Sequence, residues 1–281
     1  MSNAVSESLP LPRVMTIAGS DSGGGAGIEA DLKTFTVLGC YGMAAITAIT
    51  SQNTQGVFGI HEVPADEVAR QLRVVLEDIG ADAIKTGMLA SARIIEAVAA
   101  ELRRFNPKNL VVDPVMVAKS GDALLQESAR GALVRELLPL ALAVTPNVPE
   151  AEALSGLSIS GEADLRAAAE RIHALGPRWV LMKGGHLEGA EAVDYLYDGR
   201  ALERFAGPRF DTPHTHGTGC TYASAMAAWL ARGENVPEAV RRAKEYVSGA
   251  IRNHVPIGRG RGPLNHLWMT PAEQPFRNPR P

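Results

Sequence analysis

Short apolar runs alternate with amphipathic runs along most of this chain, and that alternation restricts the fold more than any single residue does. Val14–Ala18 reads as a strand, Ala26–Leu38 as a helix stopped by Gly39, and Ala44–Ile49 as a second strand. A helix from Ala65 to Ile79 follows, then a strand at Ala83–Lys85, a helix capped by Ser91 and running to Phe105, and a strand at Leu110–Val112 closed by Asp113. Leu124–Leu138, Leu142–Thr145, Ala163–Leu175 and Trp179–Met182 continue the pattern. Strands separated by helices pair in parallel, because each crossover returns the chain to the same end of the sheet. Ala192–Phe210 breaks the rhythm, and its Tyr195-Leu196-Tyr197 and Asp198-Gly199 predict an antiparallel hairpin. The expected class is α/β: a mostly parallel central sheet with helices on both faces and an antiparallel edge hairpin.

With 281 residues, 46% of them hydrophobic, the chain can bury one substantial core. The expectation is a single domain over 13–268, with 1–12 and 270–281 as flexible tails. A net charge of −3 gives no electrostatic reason for a nucleic-acid or membrane-surface partner, so a small-molecule enzyme fits better. Cys40 and Cys220 lie in unrelated contexts, which argues against a disulfide framework. No apolar run of about 18 residues occurs, and the start lacks a signal-peptide core, so a cytoplasmic location is expected.

In open α/β sheets ligands collect beyond the carboxyl ends of the strands. Here those ends carry Gly19-Ser20-Asp21-Ser22-Gly23-Gly24-Gly25-Ala26-Gly27, Gln52-Asn53-Thr54, Lys85-Thr86-Gly87-Met88, Asp113-Pro114-Val115, Asn147-Val148-Pro149-Glu150 and Lys183-Gly184-Gly185-His186. His216-Gly217-Thr218-Gly219-Cys220 runs into an alanine-rich helical stretch. Two glycines and the start of a helix make an anion hole, most economically one for phosphate, with Cys220 at its lip. Gly25-Ala26-Gly27-Ile28-Glu29-Ala30 also satisfies a loose dinucleotide fingerprint, but no acid ends the second strand to hold a ribose. A P-loop motif is absent. Zinc held by His214, His216 and Cys220, with His186 as a fourth ligand, would leave the two glycines without a role, and His214 reads better as a loop brace.

Taken together, these motifs resemble the hydroxymethylpyrimidine/phosphomethylpyrimidine kinases of thiamine biosynthesis, within the ribokinase-like superfamily, from about Arg13 to about Leu267. The resemblance implies ATP-dependent phosphorylation of 4-amino-5-hydroxymethyl-2-methylpyrimidine and then of its monophosphate, with pyridoxal or pyridoxine kinase as the nearest competing activity. It implies that Asp31 and Gln52 read the pyrimidine's amino group and ring nitrogens, and that Gly19, Ala26, Met88 and Val115 wall the ring. Lys183, Asn147 and Thr218 would contact ATP, Gly217 and Gly219 would shape the catalytic hole, and Glu150 with Asp113 would hold Mg²⁺. Cys220 stands where the wider superfamily places an aspartate base. At a helix N-terminus its thiol is expected to have a lowered pKa and to serve as proton acceptor. Val117–Asp122 has the glycine and charge of a mobile loop that could close on substrate, and Ile257–Pro263 is a family-like stretch whose arginines equally suit a solvated face. Neither is assigned a catalytic role, and a homodimer is the assembly the resemblance implies.

Overall fold

The computed structural model describes residues 11–116, 127–185 and 189–270. Its main sheet contains β1 (Arg13–Ala18), β2 (Tyr41–Ile46), β5 (Ala83–Thr86), β6 (Leu110–Val112), β7 (Ala143–Val144), β8 (Trp179–Lys183), β9 (Glu191–Tyr197) and β10 (Leu202–Pro208). The spatial order is β10-β9-β8-β7-β6-β5-β1-β2. From β2 to β8 the pairings are parallel, with Val14 opposite Ala83 and Ile84 opposite Leu110. The β8–β9 and β9–β10 pairings are antiparallel, which makes the expected edge hairpin.

Helices α1 (Gly27–Val37), α7 (Thr218–Ala231) and α8 (Val236–Arg252) cover one face of the sheet, and α2 (Ala65–Asp78), α3 (Ala92–Phe105), α4 (Glu127–Ala132), α5 (Val148–Ser155) and α6 (Glu162–His173) belong to the other. Strand side chains alternate between these layers. Met15 and Ile17 belong to the same core layer as Leu72, Leu102 and Leu165, whereas Val14 belongs to the layer of Phe35, Met226 and Tyr246. At roughly 1.5–3 kcal/mol for each large apolar side chain removed from water, these two layers supply most of the drive to fold. No described helix is long and apolar enough to cross a membrane.

Three sequence expectations are corrected. The expected strand Ala44–Ile49 is two strands: the chain leaves the main sheet at Thr47, and β3 (Ala48–Gln52) pairs antiparallel with β4 (Val57–Glu62) in a separate two-stranded sheet. Thr47 fixes the break, its N–H donating to the Ala18 carbonyl at 3.0 Å and its hydroxyl to the Met88 carbonyl at 2.7 Å. Such bonds to neighbouring loops outweigh the local pattern, which is continuous through this point. Ser91 does occupy the N-cap of α3, but its side chain makes no capping bond. Leu142–Thr145 contracts to the two residues of β7.

The topology fixes where a ligand belongs. From β1 the chain connects to β2 on one side and β5 lies on the other, so the loops after β1 and its neighbours diverge and leave a crevice at the strands' carboxyl ends.

Candidate active site

Helix α7 supplies the centre of that crevice. Its N-cap, Gly217, has φ +81, and a side chain there would run into the Gly25 carbonyl, so the glycine is needed on both counts. Thr218 braces the turn by donating from its hydroxyl to the Thr215 carbonyl at 2.7 Å. The first-turn amides that follow have no acceptor within the helix and face the crevice with the positive end of its dipole.

Opposite α7, Lys183 ends β8 and donates from Nζ to Asp113 Oδ1 at 2.8 Å, and Thr145 donates to the same oxygen at 3.1 Å. Burial alone would lower the Lys183 pKa, but Asp113 and Glu150 beside it raise it overall, so the group stays an ammonium. Asn147 and Glu150 form a capping box on α5: Glu150 N–H donates to Asn147 Oδ1 at 2.9 Å, and Asn147 N–H donates to Glu150 Oε2 at 2.8 Å. These residues therefore start a helix and line the crevice together. Burial pushes the Glu150 carboxyl up to about 7, with Asp113 adding to the rise and Lys183 opposing it.

Two cavities meet at this point. The smaller, about 140 Å³, is bounded by Gly19, Ala26, Gln52, Met88 and Val115, with Asp113, Glu150, Gly217 and Cys220 at its inner end. The larger, about 290 Å³, is walled by Pro208, Phe210, Val247 and Ile251 and floored by an ion pair between Lys244 and Asp194 at 2.6 Å. Asn147, Lys183, Thr218 and Gly219 line both. Two opposed apolar walls beside a cationic junction suit a planar base carrying phosphates.

A phosphomethylpyrimidine kinase family model matches residues 21–265. The chain belongs to the phosphomethylpyrimidine kinase family. A thiamine biosynthesis bifunctional protein of Geobacter sulfurreducens is 56% identical over 92% of this chain, which spans only 53% of that relative's length. A hydroxymethylpyrimidine/phosphomethylpyrimidine kinase of Streptomyces coelicolor is 54% identical, with 92% of this chain and 95% of the relative aligned. The structure of an ADP complex of Bacillus subtilis pyridoxal kinase superposes with a TM-score of 0.86 at 42% identity, covering 92% of this chain and 98% of that one. The fold is accordingly ribokinase-like.

Of the residues that the family resemblance nominated from sequence, the crevice gathers all but one. Asp31 is the exception. It is fully buried on α1 and absent from the cavity wall, with its oxygens accepting from Thr16 at 2.6 Å, Ser224 at 2.6 Å and Lys85 Nζ at 2.9 and 3.0 Å. An acceptor so occupied is not placed to read a substrate amine; it ties α1, β5 and α7 together beneath the site. The expectation for the Cys220 thiol is also reversed. Burial pushes it up to about 11, with Asp31 and Asp113 adding to the rise, and the opposing pull of Lys85 and the Gly27 N–H does not overcome them. The helix dipole that should favour thiolate is outweighed by lost hydration and two neighbouring carboxylates.

Sequence reading assigned no role to Asp21 and considered His216 as a zinc ligand or a loop brace. Both line the smaller cavity, with His216 Nε2 2.9 Å from Asp21 Oδ2 and 3.3 Å from Gln52 Nε2. An aspartate two residues ahead of a glycine run is the available signal, since its carboxylate can collect the amides that follow. His214 turns away, accepting from Gly262 N–H at 3.0 Å and stacking on His254. Among the described residues no three His, Cys, Asp or Glu side chains cluster to hold a metal by themselves. His186 and the loop Val117–Asp122 lie outside the described residues. The Gly258–Pro263 stretch braces the β3–β4 hairpin, with Arg261 N–H donating to the Thr54 carbonyl at 2.8 Å.

Proposed function

We propose that this chain uses ATP to phosphorylate the hydroxymethyl group of 4-amino-5-hydroxymethyl-2-methylpyrimidine and then converts the monophosphate to the diphosphate. The observation that carries the reading is the meeting of two unlike cavities, one of about 140 Å³ with polar edges and one of about 290 Å³ with apolar walls, at Lys183 and the start of α7. The first accommodates one small heteroaromatic ring and the second a nucleotide, so the phosphates fall at the shared lysine and helix amides. The name of the Streptomyces relative supports the same substrates, and that of the Geobacter relative supports thiamine biosynthesis.

Phosphoryl transfer asks a protein mainly for alignment and charge neutralisation. Lys183 and the α7 amides gather the charge that spreads over the transferring group. As the acceptor oxygen bonds to the γ-phosphorus, the bond to the ADP bridging oxygen breaks and the hydroxyl proton leaves toward Cys220 in its thiolate form. A divalent cation fits here, because two buried carboxylates, Asp113 and Glu150, share one ammonium and offer hard oxygen donors. Mg²⁺ held by them would supply further neutralisation of the ATP phosphates.

A Cys220 thiol near 11 makes the base test sharp. The thiolate fraction rises about tenfold per pH unit through the neutral range, whereas a phosphate-monoester acceptor is already largely deprotonated above its second pKa of about 6. Single-turnover rates should climb steeply from pH 6 to 9 for the hydroxymethyl compound and only weakly for the monophosphate. Cys220→Ala should slow the first transfer by about 10²–10⁴ and the second far less. Equal losses for both acceptors would remove Cys220 from the role of base.

The match to a pyridoxal kinase favours pyridoxal-type acceptors as a second reading. ADP-coupled assays with the pyrimidine alcohol, its monophosphate and pyridoxal decide between them. The primary reading expects the highest kcat/KM for the two pyrimidines, and the reverse order would establish the second.

A further inference from the structure

Three polar side chains at the edge of the smaller cavity have hydrogen-bonding capacities that admit only one arrangement. Asp21 Oδ1 accepts from Gly23 N–H at 2.8 Å, and Oδ2 accepts from Gly25 at 3.0 Å and Ala26 at 2.8 Å. Burial would raise the Asp21 pKa, but His216 and these amides hold it below the ordinary carboxylate range. The ionised group can only accept, so His216 Nε2, 2.9 Å from Oδ2, carries a proton and donates it.

That assignment conflicts with Gln52 Nε2 at 3.3 Å from the same ring nitrogen, since an amide nitrogen also only donates. A second conflict lies at the other end of the carboxamide. Thr50 has one hydroxyl proton, which serves the Ser20 carbonyl at 2.9 Å, so only its lone pairs remain for Gln52 Oε1 at 3.3 Å. A half-turn of the carboxamide exchanges its oxygen and nitrogen and repairs both contacts. Oε1 then shares the His216 Nε2 proton with Asp21 Oδ2 as the longer arm of a three-centre bond, and Nε2 donates to Thr50. The His216 ring is held against Gly25, where a side chain would collide with it, and the His216 backbone N–H is fixed by donating to the Gly262 carbonyl at 3.2 Å.

We propose that His216, anchored by Asp21, is a positioning residue that locks the Gln52 carboxamide and so sets the order of donor and acceptor that the pocket presents. The ligand edge that fits is an amino group beside an unprotonated ring nitrogen, with the amine on the His216 side and the ring nitrogen on the Thr50 side. A ring with a carbonyl beside a protonated nitrogen has the opposite order and is rejected. The ligand part of this inference rests on the pyrimidine kinase reading; the histidine tautomer and carboxamide orientation do not.

The experiment has two arms. In ¹⁵N-labelled ligand-free protein at pH 8, long-range proton–nitrogen correlations should show His216 protonated at Nε2, with the Gln52 amide protons close to Thr50. A bare Nε2 overturns the proposal. In the second arm, calorimetry compares 4-amino-5-hydroxymethyl-2-methylpyrimidine with its 4-oxo analogue. The preference for the amino compound should fall by about tenfold in His216→Leu and return in His216→Gln, which keeps a donor. An unchanged preference in a folded His216→Leu protein overturns the proposal. If the wild type binds neither ring, the kinase reading fails while the spectroscopic arm still decides the positioning claim; should His216→Leu not fold, that arm again suffices.

Discussion

Glu150 titrates to about 7 because burial and Asp113 outweigh Lys183, and this carries a stability consequence. Between the ordinary value of 4.5 and about 7 the folded protein holds a proton that the unfolded chain has released. Stability of the ligand-free protein therefore falls as pH rises through that window. Glu150→Gln keeps an acceptor for the Asn147 amide but removes the titration. Urea unfolding from pH 4.5 to 8 should show a flatter profile for the variant, with its advantage largest at the alkaline end. A parallel profile would mean that Glu150 ionises normally. The same residue shows what one dimension conveys: Asn147-x-x-Glu150 is legible as a cap or as a ligand pair, and only the fold shows that capping aims both side chains into the crevice.

At the level of elements, α7 and the glycine loop after β1 depend on one another. Gly217 has φ +81 and no space for a methyl group against the Gly25 carbonyl, whereas a methyl group on Gly219 would stand 3.3 Å from Lys183 Nζ. Gly217→Ala should cost a few kcal/mol of stability, visible as a lower denaturation midpoint, together with most activity. Gly219→Ala should fold normally and lose turnover through the displaced lysine. Equal stability losses would contradict this division. The buried Asp31–Lys85 pair joins α1 to β5, and Ser224 adds α7. Asp31→Asn or Lys85→Met should each destabilise by about 3–5 kcal/mol, because the remaining charge is left without compensation. The double variant should recover part of that loss in chemical denaturation. The sequence pattern could not expose this role: an aspartate in the first turns of a helix looks solvated, and its partner is 54 residues away. The β2–β3 break was hidden for a related reason, since Thr47 is turned by bonds to Ala18 and Met88 rather than by its neighbours.

Across the whole molecule, the strand–helix rhythm made the sheet legible because local periodicity reports which face of each element is buried. The division of the crevice was not, because the apolar wall of the larger cavity, Pro208, Phe210, Val247 and Ile251, comes from β10, α8 and the segment after β10, none of which carries a phosphate motif. Ser248→Trp should fill that cavity, raise the KM for ATP at least tenfold and leave calorimetric binding of the pyrimidine unchanged. A matching loss of pyrimidine affinity would show that the two cavities are one site. The strand order has a consequence for synthesis. From β5 to β10 each new strand lies beside the one made before it, so the sheet extends outward as the ribosome releases it. The part of the face beneath α7 and α8 stays uncovered until residues 218–252 emerge, leaving Val111 and Leu181 open to solvent on a nearly finished sheet. A chain stalled just before Gly217 would thus present its largest apolar surface to chaperones at the moment when it still lacks the amides that bind phosphate.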